Sequence, residues 1–283
     1  MAQRSPVVLV TGASSGIGHA VATAFAAKGF EVFGTSRNPQ RTEPIAGVEL
    51  VQLDVTDPES VAAAVSTVIQ RAGRIDVVVN NAGFGVLGAA EESSAAQAQA
   101  LFETNFFGLV RVTREVLPYL RAQRSGRIIN IGSVLGFVPA PYGALYSASK
   151  HAVEGYSESL DHETRDFGVR VSVVEPGYTK TSFDAAAVDA DSPIDSYAPV
   201  REHVKDVLTK SIPAGDDPAV VAQIVLKAAT SRAPKIRYPA GPLARRLALL
   251  KRFAPSALFD SGVRKANKLG SAPQSHQVPQ NVR

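Results

Sequence analysis

Tyr146 and Lys150 stand four residues apart in Ala144-Leu145-Tyr146-Ser147-Ala148-Ser149-Lys150, at the start of a stretch that reads as a helix. Side chains at i and i+4 share one face of a helix. A phenol titrates near pH ~10 in water, and an ammonium beside it favours the phenolate. The pair therefore predicts that Tyr146 exchanges a proton nearer neutrality, as a general acid or base supported by Lys150. The same spacing also occurs on solvated helices that do no chemistry, so the neighbouring sequence has to supply the rest of a site.

Two further polar residues fit that site. Ser133 leaves the apolar run 126–131 in Gly132-Ser133-Val134-Leu135-Gly136. Ligands of open parallel sheets collect beyond the carboxyl ends of the strands, where a hydroxyl can donate to a carbonyl oxygen. Asn105 lies among Phe102, Phe106, Phe107 and Leu109 on an expected helix over 95–120. An amide on an apolar face must find a partner or cost about 1–3 kcal/mol. Either a neighbouring carbonyl satisfies it, or it holds a water that connects Lys150 to solvent.

A phosphate cradle precedes them. The buried-strand pattern of Val7-Val8-Leu9-Val10 runs into Thr11-Gly12-Ala13-Ser14-Ser15-Gly16-Ile17-Gly18 and then an Ala-rich helix to about Lys28. Glycines at a strand-to-helix turn let the backbone approach a pyrophosphate, whose charge meets the free N–H groups of the helix. Gly12, Ser14, Ser15, Gly16, Ile17 and Gly18 are thus expected to bind a dinucleotide. Arg37 follows nineteen positions after Gly18, where a site for NAD(H) would carry an acid for the ribose 2′-hydroxyl. An arginine suits a 2′-phosphate, so NADP(H) is expected, with Ser14 or Ser36 adding a hydroxyl, unless Arg37 is only a loop cation. Asp54-Val55 would receive the adenine amino group, or Asp54 merely forms a turn. Asn80-Asn81-Ala82-Gly83 would let the chain pass close to a ribose. Within Glu175-Pro176-Gly177-Tyr178-Thr179-Lys180-Thr181, backbone groups and the Thr181 hydroxyl would hold a carboxamide.

These residues need strands that end together. Continuous apolar runs predict parallel strands at 7–10, 31–35, 48–53, 75–79, 126–131 and 169–174, with a short last strand at 235–238. Helices are expected at 56–72, capped by Thr56-Asp57-Pro58-Glu59, and at 95–120, 217–230 and 243–253, besides those that follow Gly18 and carry Tyr146. Residues 183–212 read as irregular, hence a lid or binding loop. Phe84, Val86, Leu135, Phe137, Tyr142, Tyr178 and Phe183 flank the motifs and are candidate walls of a lipophilic pocket. From about residue 270 the tail is polar.

Composition removes other classes. The chain has 283 residues, 45% of them apolar, no Cys and five scattered His, so disulfides and metal sites are not expected. The formal charge of +4 comes without an aromatic-interleaved basic stripe, which argues against nucleic acid. No apolar run approaches the ~20 residues of a membrane span, and the first residues lack a signal-peptide pattern. A cytoplasmic protein is expected. The basic, apolar-striped segment 243–253 allows at most peripheral membrane contact; it can equally cover the cleft or a partner subunit.

Thr11-Gly12-x-x-x-Gly16-x-Gly18, Asn80-Asn81-Ala82-Gly83, Asn105, Ser133, Tyr146-x-x-x-Lys150 and Pro176-Gly177, in this order, resemble the short-chain dehydrogenase/reductase family over residues 5–240. The resemblance implies an α/β fold: a single Rossmann-type domain with a doubly wound parallel β-sheet and helices on both faces. Residues 241–283 would form a C-terminal helical extension and polar tail. It further implies Tyr146 as proton donor or acceptor, Lys150 on the cofactor ribose, Ser133 on the substrate oxygen and Asn105 supporting a proton relay. Homodimers or homotetramers built on the helices of Asn105 and Tyr146 are implied too. Residues 146–163 and Arg237-Tyr238-Pro239-Ala240-Gly241 look like the branch of 17β-hydroxysteroid and retinol dehydrogenases. The expected activity is NADP(H)-dependent interconversion of a small lipophilic alcohol and its carbonyl; a non-catalytic NADPH-binding sensor or scaffold is the alternative.

Overall fold

Strand β1 (Val7–Val10) is buried at all four positions, as an apolar run without alternation requires when both sheet faces are covered. The computed structural model, which describes residues 5–181, 187–267 and 269, continues with α1 (Gly16–Ala26), β2 (Glu31–Ser36), β3 (Val48–Gln52), α2 (Pro58–Ala72) and β4 (Val77–Asn80). After a two-residue strand β5 (Val86–Leu87) come α3 (Ala95–Phe102), α4 (Gly108–Gln123), β6 (Gly126–Ile131), α5 (Ala144–Thr164) and β7 (Val169–Pro176). The last elements are β8 (Val188–Asp189), α6 (Ala198–Ser211), α7 (Pro218–Thr230), β9 (Arg237–Ala240), α8 (Pro242–Phe253) and α9 (Ser256–Ala266).

Seven strands form one parallel sheet in the order β3-β2-β1-β4-β6-β7-β9. The chain moves outward in one direction from β1 and then resumes at β4 in the other. The crevice at that reversal, above the carboxyl ends of β1 and β4, is where a doubly wound sheet binds its ligand. Successive strand residues feed two cores: Val8 and Val10 pack with Phe25 and Val225, while Val7 and Leu9 pack with Val65, Val112 and Leu160. This is a single Rossmann-like domain.

Local signals set several ends. Asp57 accepts a 2.9 Å hydrogen bond from Glu59 N–H ahead of Pro58, and Gly73 closes α2 at φ 77°, the left-handed turn that glycine enters without strain. Asp161 fastens α5 to β7, accepting from Arg170 Nε and Val171 N–H at 2.8 and 2.9 Å and from Arg165. Burial would raise its carboxyl, but the bonds from Arg170, Arg165 and Val171 outweigh that and hold it down to about 2. The stabilisation is therefore present above the ordinary carboxylate range and lost as pH falls through about 2.

Four expectations are corrected. The helix over 95–120 is broken by a π-helical turn at Glu103–Phe107, and Asn105 sits in it. An inserted residue of this kind rotates a side chain off the helical stripe, and such turns gather at functional sites. The segment 183–212, read as irregular, contains β8 paired with β5 and the 14-residue helix α6; residues 182–186, including Phe183, lie outside the described residues. The strand expected at 75–79 begins at Val77, and that at 235–238 is shifted to Arg237–Ala240. A second C-terminal helix, α9, follows α8 without having been foreseen.

Candidate active site

The turn after β1 is held from the end of β4. Thr11 Oγ1 accepts from Asn81 N–H (2.9 Å) and Ala82 N–H (3.1 Å), and Asn81 Nδ2 donates to the carbonyls of Thr11 (2.9 Å) and Gly12 (3.1 Å). Gly12 and Gly16 have φ of 66° and 56°, where a side chain is strained. A Cβ on Gly18 would stand 2.2 Å from Gly12 O and 2.5 Å from Asn81 Nδ2. Gly18 therefore seats the helix against the turn, and it does not line the cleft, unlike the cofactor role expected of it. Ser15, at the N-cap of α1, makes no side-chain capping bond, which leaves first-turn N–H groups for an anion.

A cleft of about 1720 Å3 runs over this turn and is lined by every other residue expected to bind cofactor: Gly12, Ser14, Ser15, Gly16, Ile17, Arg37, Asp54, Val55, Asn81, Ala82, Gly83, Tyr146, Lys150, Pro176, Gly177, Thr179 and Thr181. That volume exceeds the roughly 300–1,000 Å3 of a one-ligand pocket, leaving room for a dinucleotide and a substrate. Together with the glycine cradle it fits a nicotinamide dinucleotide. Arg37 is exposed at the end of β2, and Arg41, not singled out by sequence, lines the same end. Asp54 is a turn former as well as a lining residue, its Oδ1 taking Thr56 N–H and Oγ1 at 2.9 and 2.7 Å. Burial acts to raise its carboxyl but is outweighed by those bonds and by Arg37 and Arg111, so its pKa is lowered.

At the other end, Ser133 and Tyr146 share a hydrogen bond between their side chains. Ser133 Oγ also accepts from Leu135 N–H at 3.1 Å, which fixes its lone pairs. Lys150 Nζ donates to Ile131 O at 2.9 Å and lies 5.7 Å from the centroid of the Tyr146 ring. The expectation of a Tyr146 phenol made acidic by its neighbour is overturned here. Burial pushes Tyr146 up to about 12, against the lowering by Ser133, and pushes Lys150 down to about 8, against the pull of Glu154. Lys150 Nζ donates to a carbonyl, and desolvation of the phenolate exceeds what the Ser133 hydrogen bond offsets.

The Asn105 side chain is satisfied by neighbouring groups. Its Oδ1 accepts from Phe84 N–H (3.0 Å) and its Nδ2 donates to Phe84 O (2.9 Å) and Ser149 Oγ (3.2 Å). Ser149 in turn donates to Tyr146 O at 2.7 Å. The amide takes neighbouring backbone, does not line the cleft, and ties the loop after Gly83 to the helix that carries Tyr146.

Sequence reasoning missed a carboxylate cluster beneath this site. One turn beyond Lys150, buried Glu154 meets Arg237 Nε at 3.0 Å; the same guanidinium reaches Glu158 at 3.1 Å and buried Glu175 at 3.7 Å. Three acids face one arginine. Burial pushes Glu154 up to about 7 despite Arg237, and burial with Glu154 nearby pushes Glu175 up to about 8. Their shape was hinted at by an acid four residues after Lys150 and another closing the apolar run 169–174. Carboxyls raised in the folded state give stability that is complete below the ordinary range of about 4.3 and is lost as pH rises through about 7 to 8. Glu175→Gln is expected to flatten this decline, so that the melting temperature falls less between pH 5.5 and 8.5 than in the parent. A decline as steep as the parent's would remove Glu175 from the account.

Of the expected pocket walls, Phe84, Val86, Leu135 and Tyr178 line the cleft. Phe137 and Tyr142 do not; the Tyr142 ring packs edge-on against Tyr197 at 6.2 Å instead. Further apolar walls come from α6 (Val204, Val207, Leu208) and α8 (Leu247, Leu250), within the segments expected to form a lid and to cover the cleft, and from α9 (Leu258, Phe259, Val263), which was not foreseen. The α6 wall is anchored by fully buried Glu92, which accepts from Ala89 N–H at 2.7 Å and Ile194 N–H at 2.8 Å and pairs with Arg201.

Comparison with known proteins decides the family: the model of short chain dehydrogenases matches residues 6–192. The chain belongs to the short-chain dehydrogenase family. The 3-ketodihydrosphingosine reductase of Bacteroides thetaiotaomicron is 37% identical over 261 residues, 91% of this chain and 96% of that protein. Retinol dehydrogenase 8 of Bos taurus is 33% identical over 276 residues, 90% and 88% of the two chains. A solved short-chain dehydrogenase from Streptomyces avermitilis is 33% identical and superposes with a TM-score of 0.82 over 96% of this chain and 100% of its own. As a short-chain dehydrogenase the protein is an oxidoreductase of CH–OH groups with a nicotinamide cofactor.

Proposed function

We propose that this short-chain dehydrogenase interconverts a lipophilic alcohol and its aldehyde or ketone with NADP(H). The observation that carries the reading is the Ser133–Tyr146 hydroxyl pair beside Lys150, on the wall of a cleft whose other half is apolar. The cofactor, when bound, supplies or accepts the hydride. The chain's residues do the remaining work. The Ser133 hydroxyl orients and polarises the substrate oxygen, and the Tyr146 hydroxyl gives that oxygen its proton in reduction or removes it in oxidation. The Lys150 ammonium adds positive potential next to the phenol as negative charge develops there. Walls from α6, α8 and α9 exclude water and take the apolar body of the substrate.

The NADP(H) preference is supported by Arg37 and Arg41 at the ribose end of the cleft, since a guanidinium pairs with a 2′-phosphate and has nothing equivalent to offer a hydroxyl. NADPH is expected to raise the melting temperature more than NADH at equal concentration, because only binding to the folded state stabilises. Arg37→Ala should weaken NADPH binding about tenfold, the equivalent of ~1.4 kcal/mol, with NADH almost unchanged. Equal shifts for the two cofactors in the parent would overturn the preference. A homodimer or homotetramer built through α4 and α5 is part of the same proposal, supported by Phe107 and Tyr119, 48% and 36% exposed beside and on α4. A cytoplasmic location completes it.

A further inference from the structure

Helices α8 and α9 bury few side chains against the rest of the chain, with Leu247, Phe259 and Val263 half-buried on the cleft wall. In α8 only Ala244 is buried, and α9 has no buried residue. Four of their large apolar side chains are turned outward: Leu249 is 59% exposed, Leu250 53%, Phe253 71% and Leu258 69%. Helices with an apolar stripe gain their stability by burying it, so a stripe left in water requires an apolar phase from outside. The polar face is of one sign. Arg245, Arg246, Lys251, Arg252, Arg264 and Lys265 are all exposed, against the single acid Asp260. Two of these cations lie over aromatic rings of the same pair, Lys251 Nζ 5.0 Å from the Phe259 centroid and Arg252 Cζ 5.4 Å from that of Phe253.

A cationic rim around exposed Leu and Phe fits one kind of surface, a bilayer with anionic headgroups, in which the rings enter the acyl boundary and the guanidinium groups meet phosphate. A second copy of this face would set like charges against each other. Nucleic acid would leave the Leu and Phe side chains unused. The sequence after Gly270 has only Val278 and Val282 as large aliphatic residues, too few to cover the patch. No helix among the described residues is long and apolar enough to cross a membrane, so the contact is with one leaflet. Leu250 and Leu258 belong both to the exposed patch and to the cleft wall, so the cleft opens where the bilayer would lie.

We propose that the α8–α9 pair seats on an anionic lipid surface and that the cleft draws its apolar substrate from that side; the second clause rests on the function proposed above. The test is flotation of the full chain with vesicles of phosphatidylcholine alone or mixed with phosphatidylglycerol. Binding to the mixed vesicles, weakened by salt and by omission of phosphatidylglycerol, is expected, with at least a tenfold loss in Leu249→Glu/Phe253→Glu. That variant should keep its cofactor-dependent thermal shift and its turnover of a short water-soluble ketone, and lose turnover of a long-chain ketone presented in vesicles. Failure of the parent to float, equal flotation of the variant, retention by RNA in preference to vesicles, or self-association that the variant abolishes would each overturn the proposal. Flotation without turnover of any ketone would leave the membrane seat standing and overturn substrate entry from the bilayer together with the proposed activity.

Discussion

Tyr146→Phe is expected to leave NADPH binding intact and to lower turnover about a thousandfold, within the range that a positioned proton donor contributes. The substitution deletes one oxygen, the one that shares a hydrogen bond with Ser133, and keeps the ring against Lys150. Because burial holds the phenol up near 12, it is protonated throughout the neutral range. It is then a ready donor for carbonyl reduction, whereas alcohol oxidation has to create the phenolate beside the Lys150 ammonium. Steady-state turnover and an NADPH-induced thermal shift check the two halves of the expectation. Turnover near that of the parent would remove Tyr146 from proton transfer. Loss of the thermal shift would mean that the residue is needed to form the cofactor site rather than for the chemistry.

Arg201→Met should lower stability by about 3–5 kcal/mol, the usual result of stripping a buried carboxylate of its counter-charge. Glu92 is fully buried and Arg201 is 13% exposed on its side chain, so solvent can do little to replace the guanidinium. The two backbone donors at Ala89 and Ile194 would remain, but neither carries charge. Glu92→Gln combined with Arg201→Met should recover much of the loss, since the uncompensated charge is gone. Urea unfolding of the parent, the two single variants and the double variant measures this coupling. Arg201 belongs to α6, whose Val204, Val207 and Leu208 line the cleft, so KM for a long apolar substrate should rise more than KM for a short one. A cost below about 1 kcal/mol, the level of a surface pair, would show that α6 is held by something else.

The parts of the fold that were legible in the sequence have local causes. β1, β6 and β7 were readable because strands covered on both faces leave no alternation, and α2 because Asp57, Pro58 and Gly73 mark its ends. α6 was missed although Val204, Val207 and Leu208 have helical spacing, because the Ala-, Asp- and Pro-rich stretch before it resembles a loop and its own polar face is large. The π-helical turn around Asn105 has no compositional mark at all. It depends on the amide finding Phe84, 21 residues away in sequence.

The same division holds for chemistry. By itself the sequence determined the glycine turn, the Asn80-Asn81-Ala82-Gly83 segment, Ser133 and the Tyr146/Lys150 pair, since each needs only a residue type at a short spacing next to a strand end. Only the tertiary structure decided which way Tyr146 and Lys150 titrate, since that depends on how deeply they are buried and on where the ammonium points. It alone also brought Arg237 to Glu154 and Arg201 to Glu92, across 83 and 109 residues of chain. Charges that far apart in sequence interact only after the fold has set the distance between them, and burial of Glu154 and Glu92 strengthens the attraction by keeping water from the carboxylate side.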